Sequence, residues 1–334
     1  MRRRRTLLAW LASAPVAALL ATASRAQRAE SVRRIGSLSM RATPNEFDIA
    51  FRDAMRELGW IEGRNLGIEY RWAAGDDRRV PALAAELVAA KVEVILTAAA
   101  PVIAAAKQAT STIPIVMAAV SDPVGSGLIA SLGRPGGNIT GLTLSSSETG
   151  AKRLQLLQEL IPGAARVAAL VTRVGLAVPG ETTGSLLAKE LHFAAAKLGM
   201  QLTVTEIQKS EDLPSAFAAM ERARAQAVVV QQTPLISSNR GGVVDLAARH
   251  RLPAIYETDI YIQAGGLMSY GPSLTQMYRR AAYFVDRILK GAKPAELPVE
   301  QPSKFDLTIN LKAAAALGLK VPRTLLLRAD RLIE

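Results

Sequence analysis

Short runs of branched apolar residues alternate with longer amphipathic segments along almost the whole chain, and nothing else in the sequence restricts the fold as strongly. Residues 34–39 (RIGSLS), 66–72, 92–97 (VEVILT) and 113–119 read as strands. Helices starting near Pro44, over 78–90 and from Pro101 through Ala109 separate them. Such a series packs as right-handed βα units on a parallel sheet covered on both faces. Thr43-Pro44-Asn45-Glu46 predicts a capped helix start, with Thr43 as cap and Glu46 closing a capping box. Phe47, Ala50, Phe51, Ala54 and Leu58 would then face the sheet, and Gly59 would end the helix. The alternation breaks once, over 121–138, where Ser121-Asp122-Pro123 precede an expected short helix at 125–132 and a glycine-rich turn.

An extended crossover at 138–144 follows, and the alternation then resumes. Helices are expected at 150–160, 183–198, 214–224 and 237–249, and strands at 167–171, 202–207, 227–231 and 253–256. A second crossover at 265–271, an amphipathic helix at 274–289, a last strand at 304–310 and a helix at 312–317 complete the chain. The fold class is therefore α/β, with two doubly wound Rossmann-like domains.

Composition narrows the function. The 334 residues, 49% hydrophobic and 21% charged, suffice for two domains. With no cysteine, a disulfide framework, a thiolate nucleophile and a cysteine-ligated zinc are excluded. His192 and His250 lack a neighbouring histidine at ligand spacing, so they read as helix-surface residues and no metal is expected. Residues 1–26 have the pattern of a secretory signal peptide: Arg2 to Arg5, an apolar stretch from Leu7 to Ala23, and Ser24-Arg25-Ala26 as a cleavage site. The apolar stretch is short for a bilayer, which needs about 20 residues, and no cysteine follows it to carry a lipid, so no stable membrane anchor is expected. The arginines also fit either of two export routes, general or twin-arginine. Five arginines lie in this leader, so removing it lowers the formal charge by five, from +12 to +7. The remaining basic residues are interspersed with acids, as in Arg52-Asp53 and Glu221-Arg222, which argues against nucleic acid as a partner.

Ligands of open α/β sheets sit beyond the carboxyl ends of the strands. That rule selects Ser39, Arg41, Ala99, Ala100, Ser121 and Asp122 in the first half and Thr172, Arg173, Gln232, Thr233, Tyr256 and Glu257 in the second, with Tyr270 at the crossover. Asp122 leads this set because it directly follows a buried strand. Ahead of Pro123 it is equally well suited to be a helix cap. Glu257 and Asp259 could similarly cap a helix near Thr258, and Tyr270 could pack between the domains. GRPGGN lacks the Lys-Ser/Thr of a phosphate loop and leads into an extended segment, so no nucleotide cofactor is expected. No Ser/His/Asp arrangement or carboxylate pair emerges, so the chain reads as a binding protein, not an enzyme.

SDPVGSGLIASLGRPGGNITG (121–141) closely resembles the hallmark segment of a family of bacterial ABC-transporter substrate-binding proteins with the type 1 periplasmic-binding fold, which includes tryptophan and aromatic amino-acid binders. ELGWIEGRNLGIEYRWAAGD (57–76), AARHRLPAIYE (247–257), GGLMSYG (265–271) and KPAELPVEQPSKFDLTINLKAAAALGL (293–319) match as well and bracket nearly the whole chain. The resemblance implies two lobes joined by three crossover strands, a first lobe of 31–141 plus 271–302 and a second of 142–270 plus 303–334. It implies a hinge, for which Gly136, Gly137 and Gly271 are the candidates. It also implies a monomeric periplasmic protein that closes on a small-molecule ligand, amino-acid-like or a carboxylate, and delivers it to an ABC permease and its ATPase. A ligand sensor of the same fold, feeding a signalling receptor, is the alternative. A DNA-binding regulator would need a helix-turn-helix where the leader stands. The chain departs from the family pattern at Ala99-Ala100, where glycine and threonine or serine are common, at Thr172-Arg173 (Asn-Pro) and at Thr233-Pro234 (Asp-Pro). Arg41 and Arg173 would suit a ligand with an additional acid group.

Overall fold

A computed structural model describes residues 32–144, 149–173 and 182–334, so the expected leader at 1–26 lies outside the described residues. The first lobe opens with β1 (Arg33–Ser39), α1 (Glu46–Glu57), β2 (Leu66–Trp72), α2 (Val80–Ala89) and β3 (Val94–Thr97). It continues through α3 (Ala100–Ala109), β4 (Ile115–Met117) and β5 (Ile139–Gly141). The five strands run parallel in the order β2-β1-β3-β4-β5. Both faces are covered, which is why Ile95, Ile115 and Val116 come from unbroken apolar runs and, like Ile35, are fully buried. Each such side chain contributes about 1.5–3 kcal/mol by leaving water.

The second lobe begins with α4 (Thr149–Leu160), β6 (Arg166–Thr172), α5 (Thr183–Lys197) and β7 (Gln201–Ile207). It continues with α6 (Leu213–Arg222), β8 (Ala227–Val230), α7 (Pro234–Ser238), α8 (Arg240–Arg249), β9 (Ala254–Tyr256), α9 (Ile260–Gln263) and β10 (Met268–Gly271). The chain then returns to the first lobe as α10 (Leu274–Leu289), whose buried stripe of Met277, Tyr278, Ala281 and Val285 joins the core formed with Phe47, Phe51 and Met55 of α1. Trp60 Nε1 donates to Asp286 at 2.8 Å and fastens that helix at its far end. Finally β11 (Asp306–Asn310), α11 (Leu311–Ala316), α12 (Arg323–Arg328) and β12 (Arg331–Ile333) rejoin the second lobe. Among the described residues its seven strands run β12-β11-β10-β9-β8-β6-β7, with β10 and β11 the only antiparallel neighbours.

The chain thus passes between the sheets three times, and two of the passages are bonded together. Leu142 bridges to Glu300, Thr143 N donates to Glu300 O at 3.0 Å, and Glu300 N donates to Gly141 O at 2.9 Å. Gly141 has φ +131 and lies against the Met117 backbone, so only glycine fits there.

Five expectations are corrected. The first helix is capped by Asn45 with Asp48 completing the box, not by Thr43 and Glu46, because Arg41 draws Asn45 and Asp48 together. Its end at Glu57 leaves Leu58 exposed and not facing the sheet. Residues 125–132 form turns, not a helix, since Gly125 and Gly127 fall where a helix would need side chains and Gly127 has φ +71. The helix expected at 237–249 is divided at Asn239, and the strand ending at Asn310 is followed by a further one, Arg331–Ile333, too short and too charged to signal itself.

Candidate functional site

The two sheets turn their carboxyl edges toward a common cleft of about 640 Å³, within the ordinary range for small-molecule sites. From the first lobe, Ser39, Arg41, Ala100, Ser121 and Asp122 line it; from the second, Thr172, Gln232 and Glu257. With Ala99 and Thr233, which also line it, ten of the thirteen candidates are brought together. Tyr256 is not: its side chain is 1% exposed and stacks on Tyr261 with centroids 4.6 Å apart, inside the second-lobe core. Burial raises its phenol pKa above the ordinary value. The Tyr270 ring also lies off the cleft, stacked on Phe305 at 5.8 Å. Both tyrosines belong to strands whose alternation sends their rings away from the edge.

Arg41 is neutralised within the first lobe. Its guanidinium donates to Asn45 Oδ1 at 2.6 Å and to the buried Asp48 at 2.7 Å, and it lies 5.8 Å from the ring centroids of both Phe47 and Tyr278. Those rings stack on each other at 5.2 Å and form part of the cleft wall. Arg173 is exposed and pairs with Glu206 at 2.7 Å. Both arginines thus already have carboxylate partners, and of the two only Arg41 lines the cleft. Asp122 is exposed at the cleft; one carboxylate oxygen accepts from Gly125 N at 2.7 Å, and its carbonyl accepts from Ser126 Oγ at 2.5 Å.

The second-lobe rim is held by buried polar contacts. Thr172 N donates to Gln231 Oε1 at 2.9 Å, Thr258 Oγ1 donates to Gln232 Oε1 at 3.2 Å, and Thr233 Oγ1 caps α7 by accepting from Ile236 N at 3.3 Å. Thr233 therefore serves as the cap of this helix. Glu257 does not cap a helix. It pairs with Arg153 of α4 at 3.1 Å, both side chains being under 10% exposed, and Arg153 Nε also donates to the Tyr270 carbonyl at 2.9 Å. On α5, Glu190 accepts from Gly150 N at 2.9 Å. Burial, and beyond it the charges of Glu257 and of Asp122 on the opposite lobe, hold the Glu190 carboxyl above its usual range, opposed by the Gly150 donor and by Arg153.

Phe47, Tyr278, Arg153, Glu190, Leu186 and Leu187 all line the cleft and were missed by a search confined to strand ends. They sit on helices, and their only sequence signal was membership of faces otherwise read as sheet-covering. Of the hinge candidates, Gly136 (φ +82) and Gly137 lie in the turn before β5, and Gly271 ends β10 against the Glu257 carbonyl. Among the described residues no group of three or more His, Asp or Glu is placed to hold a metal, and no helix is long and apolar enough to cross a membrane.

Comparison with known proteins agrees with this arrangement. The chain is 28% identical to a conserved domain protein from Vibrio cholerae O1 biovar El Tor, whose crystal structure it matches over 90% of its length and all of the other chain, with a TM-score of 0.83. It is 25% identical to an ABC domain from Streptococcus pneumonia solved in complex with L-Trp, over 91% of this chain and all of that one, with a TM-score of 0.82. A tyrosine-binding protein of Clostridioides difficile (strain R20291) is 26% identical over 272 residues, 81% of this chain and 76% of that protein. The family model for ABC transporter substrate binding proteins matches residues 46–333, and the chain belongs to that family of non-enzymatic solute-binding proteins, with the type 1 periplasmic-binding fold.

Proposed function

We propose that this protein is the periplasmic substrate-binding component of an ABC importer, which closes its lobes on a free amino acid with a large apolar side chain and presents it to the permease and its ATPase. The observation that carries this reading is the mixed lining of the interlobe cleft. Phe47, Tyr278, Leu144, Leu186, Leu187 and Leu274 offer an apolar wall for an aromatic side chain. Asp122 offers an acceptor for the ammonium, and α3 starts at the cleft with Ala100, where the Ala100 N–H and the positive end of the helix favour a carboxylate. The relatives named for tyrosine and crystallised with L-Trp support the aromatic class. The basic, apolar and small-residue segments of 1–26 support export.

Titration calorimetry with L-tyrosine and L-tryptophan tests the reading, with tryptamine and indole-3-propionate as analogues lacking one charge each. Binding of an intact amino acid at least tenfold tighter than of either analogue is expected. In melts, the preferred ligand at 100 times its Kd should add roughly 2.7 kcal/mol of stability. Absence of binding by both amino acids, with the fold intact, rejects the aromatic assignment.

A further inference from the structure

Asp122 is one half of a polar feature that spans the cleft. Glu190 approaches from the second lobe, on the same helix as Leu186 and Leu187, and all of them line the one cavity. Its orientation is fixed locally: one carboxylate oxygen accepts from Gly150 N at 2.9 Å, at the first turn of α4. The nearest buried cation, Arg153, is committed elsewhere, to Glu257 at 3.1 Å and to the Tyr270 carbonyl at 2.9 Å. Lys189, next to Glu190 on the helix, also reaches the cleft. Glu190 therefore sits half-buried at the ligand cavity, facing the charges of Glu257 and Asp122 with only partial compensation from Arg153.

We infer that Glu190 is a specificity-determining residue, the second lobe's acceptor for the ammonium of the bound amino acid, which it shares with Asp122 of the first lobe. The inference rests on the amino-acid reading given above and adds to it a residue and a closing device. A single cationic group placed between carboxylates of opposite lobes draws the lobes together. Without it, the two like charges repel across the cleft, and this repulsion favours the open clamp. The ligand thus contributes a differential interaction between the open and closed states, which any ligand-driven closure requires. It also sets a rule of selection: a ligand of the same shape lacking the cationic group leaves both carboxylates unpaired and is rejected.

The test pairs Glu190→Gln with Asp122→Asn. Glutamine keeps an acceptor for Gly150 N, and asparagine one for Gly125 N, so both variants retain their local contacts. Calorimetry with L-tryptophan should show each single variant about 10-fold to 150-fold weaker than the natural protein. The double variant should lose less than the product of the two, because both groups hold one ammonium. Indole-3-propionate, which has no ammonium, should bind Glu190→Gln at least as well as the natural protein. Unchanged affinity of Glu190→Gln for L-tryptophan overturns the inference. If the natural protein binds no aromatic amino acid, the parent reading fails separately, and ligand-free small-angle scattering then decides. Empty Glu190→Gln should be more compact than the empty natural protein at pH 7, and superimposable profiles overturn the repulsion between the lobes.

Discussion

Arg153 joins three parts of the second lobe: its own helix, the cleft carboxylate Glu257, and the Tyr270 carbonyl beside the crossover at Gly271. Removing one partner of a buried pair strands the other charge, at a cost of about 3–5 kcal/mol. Arg153→Ala should lower the unfolding free energy read from a urea titration by that amount, whereas breaking a surface pair such as Arg78–Asp76 should change it little. Asp122 poses the opposite question, since its observed contacts stay within its own turn. Asparagine can accept from Gly125 N equally well, so a loss of ligand affinity of about 1.5–3 kcal/mol in Asp122→Asn reports the ammonium and not the turn. Unchanged affinity makes Asp122 a turn residue. Glu190 makes a pH signature available. Its carboxyl is held above the usual range, mainly by burial, so the protonated form is favoured by folding; that contribution is complete below the ordinary carboxylate pKa and is lost as pH rises through the higher folded value. Glu190→Gln, neutral throughout, should therefore melt above the natural protein at pH 7, with the gap closing as the pH falls through the carboxylate range.

At the scale of elements, the start of α3 stores strain that can be released. Ala99 adopts φ +67 and ψ +133, a conformation L-residues avoid. Such a residue costs about 1–3 kcal/mol, offset in Ala99→Gly by about 0.4–1 kcal/mol of added freedom in the unfolded chain. A net gain near 1 kcal/mol is expected in denaturant titration. Gly271 is the reverse case: a Cβ there would meet the Glu257 carbonyl, so Gly271→Ala should destabilise by about 1–3 kcal/mol through displacement of the crossover. These local features also explain which elements could be read in advance. Leu66–Trp72 and Leu274–Leu289 were legible to the residue, because each has one clear period and sharp ends. The cap at Asn45 was misplaced by two residues, because it depends on Arg41, and the turns at 125–132 because Asp122 and two glycines outweigh the apolar spacing.

At the scale of the whole molecule, the alternation of strands and helices was enough to indicate two parallel sheets, and the rule of carboxyl edges placed ten of the thirteen candidates on the cleft. The rule failed where side-chain direction mattered: Tyr256 turns into the core and Tyr270 onto Phe305. It also could not find Glu190, Arg153, Phe47 or Tyr278, whose positions depend on how helices from separate parts of the chain pack around the cavity. In the proposed clamp, the passages paired through Leu142 and Glu300, together with Gly271, would be the hinge about which the lobes move while the sheets remain intact. Small-angle scattering with and without L-tryptophan, at a concentration where calorimetry shows the site filled, tests this most directly. A smaller radius of gyration in the filled protein is the expected result; superimposable profiles from the empty and filled protein would contradict a clamp that closes on its ligand.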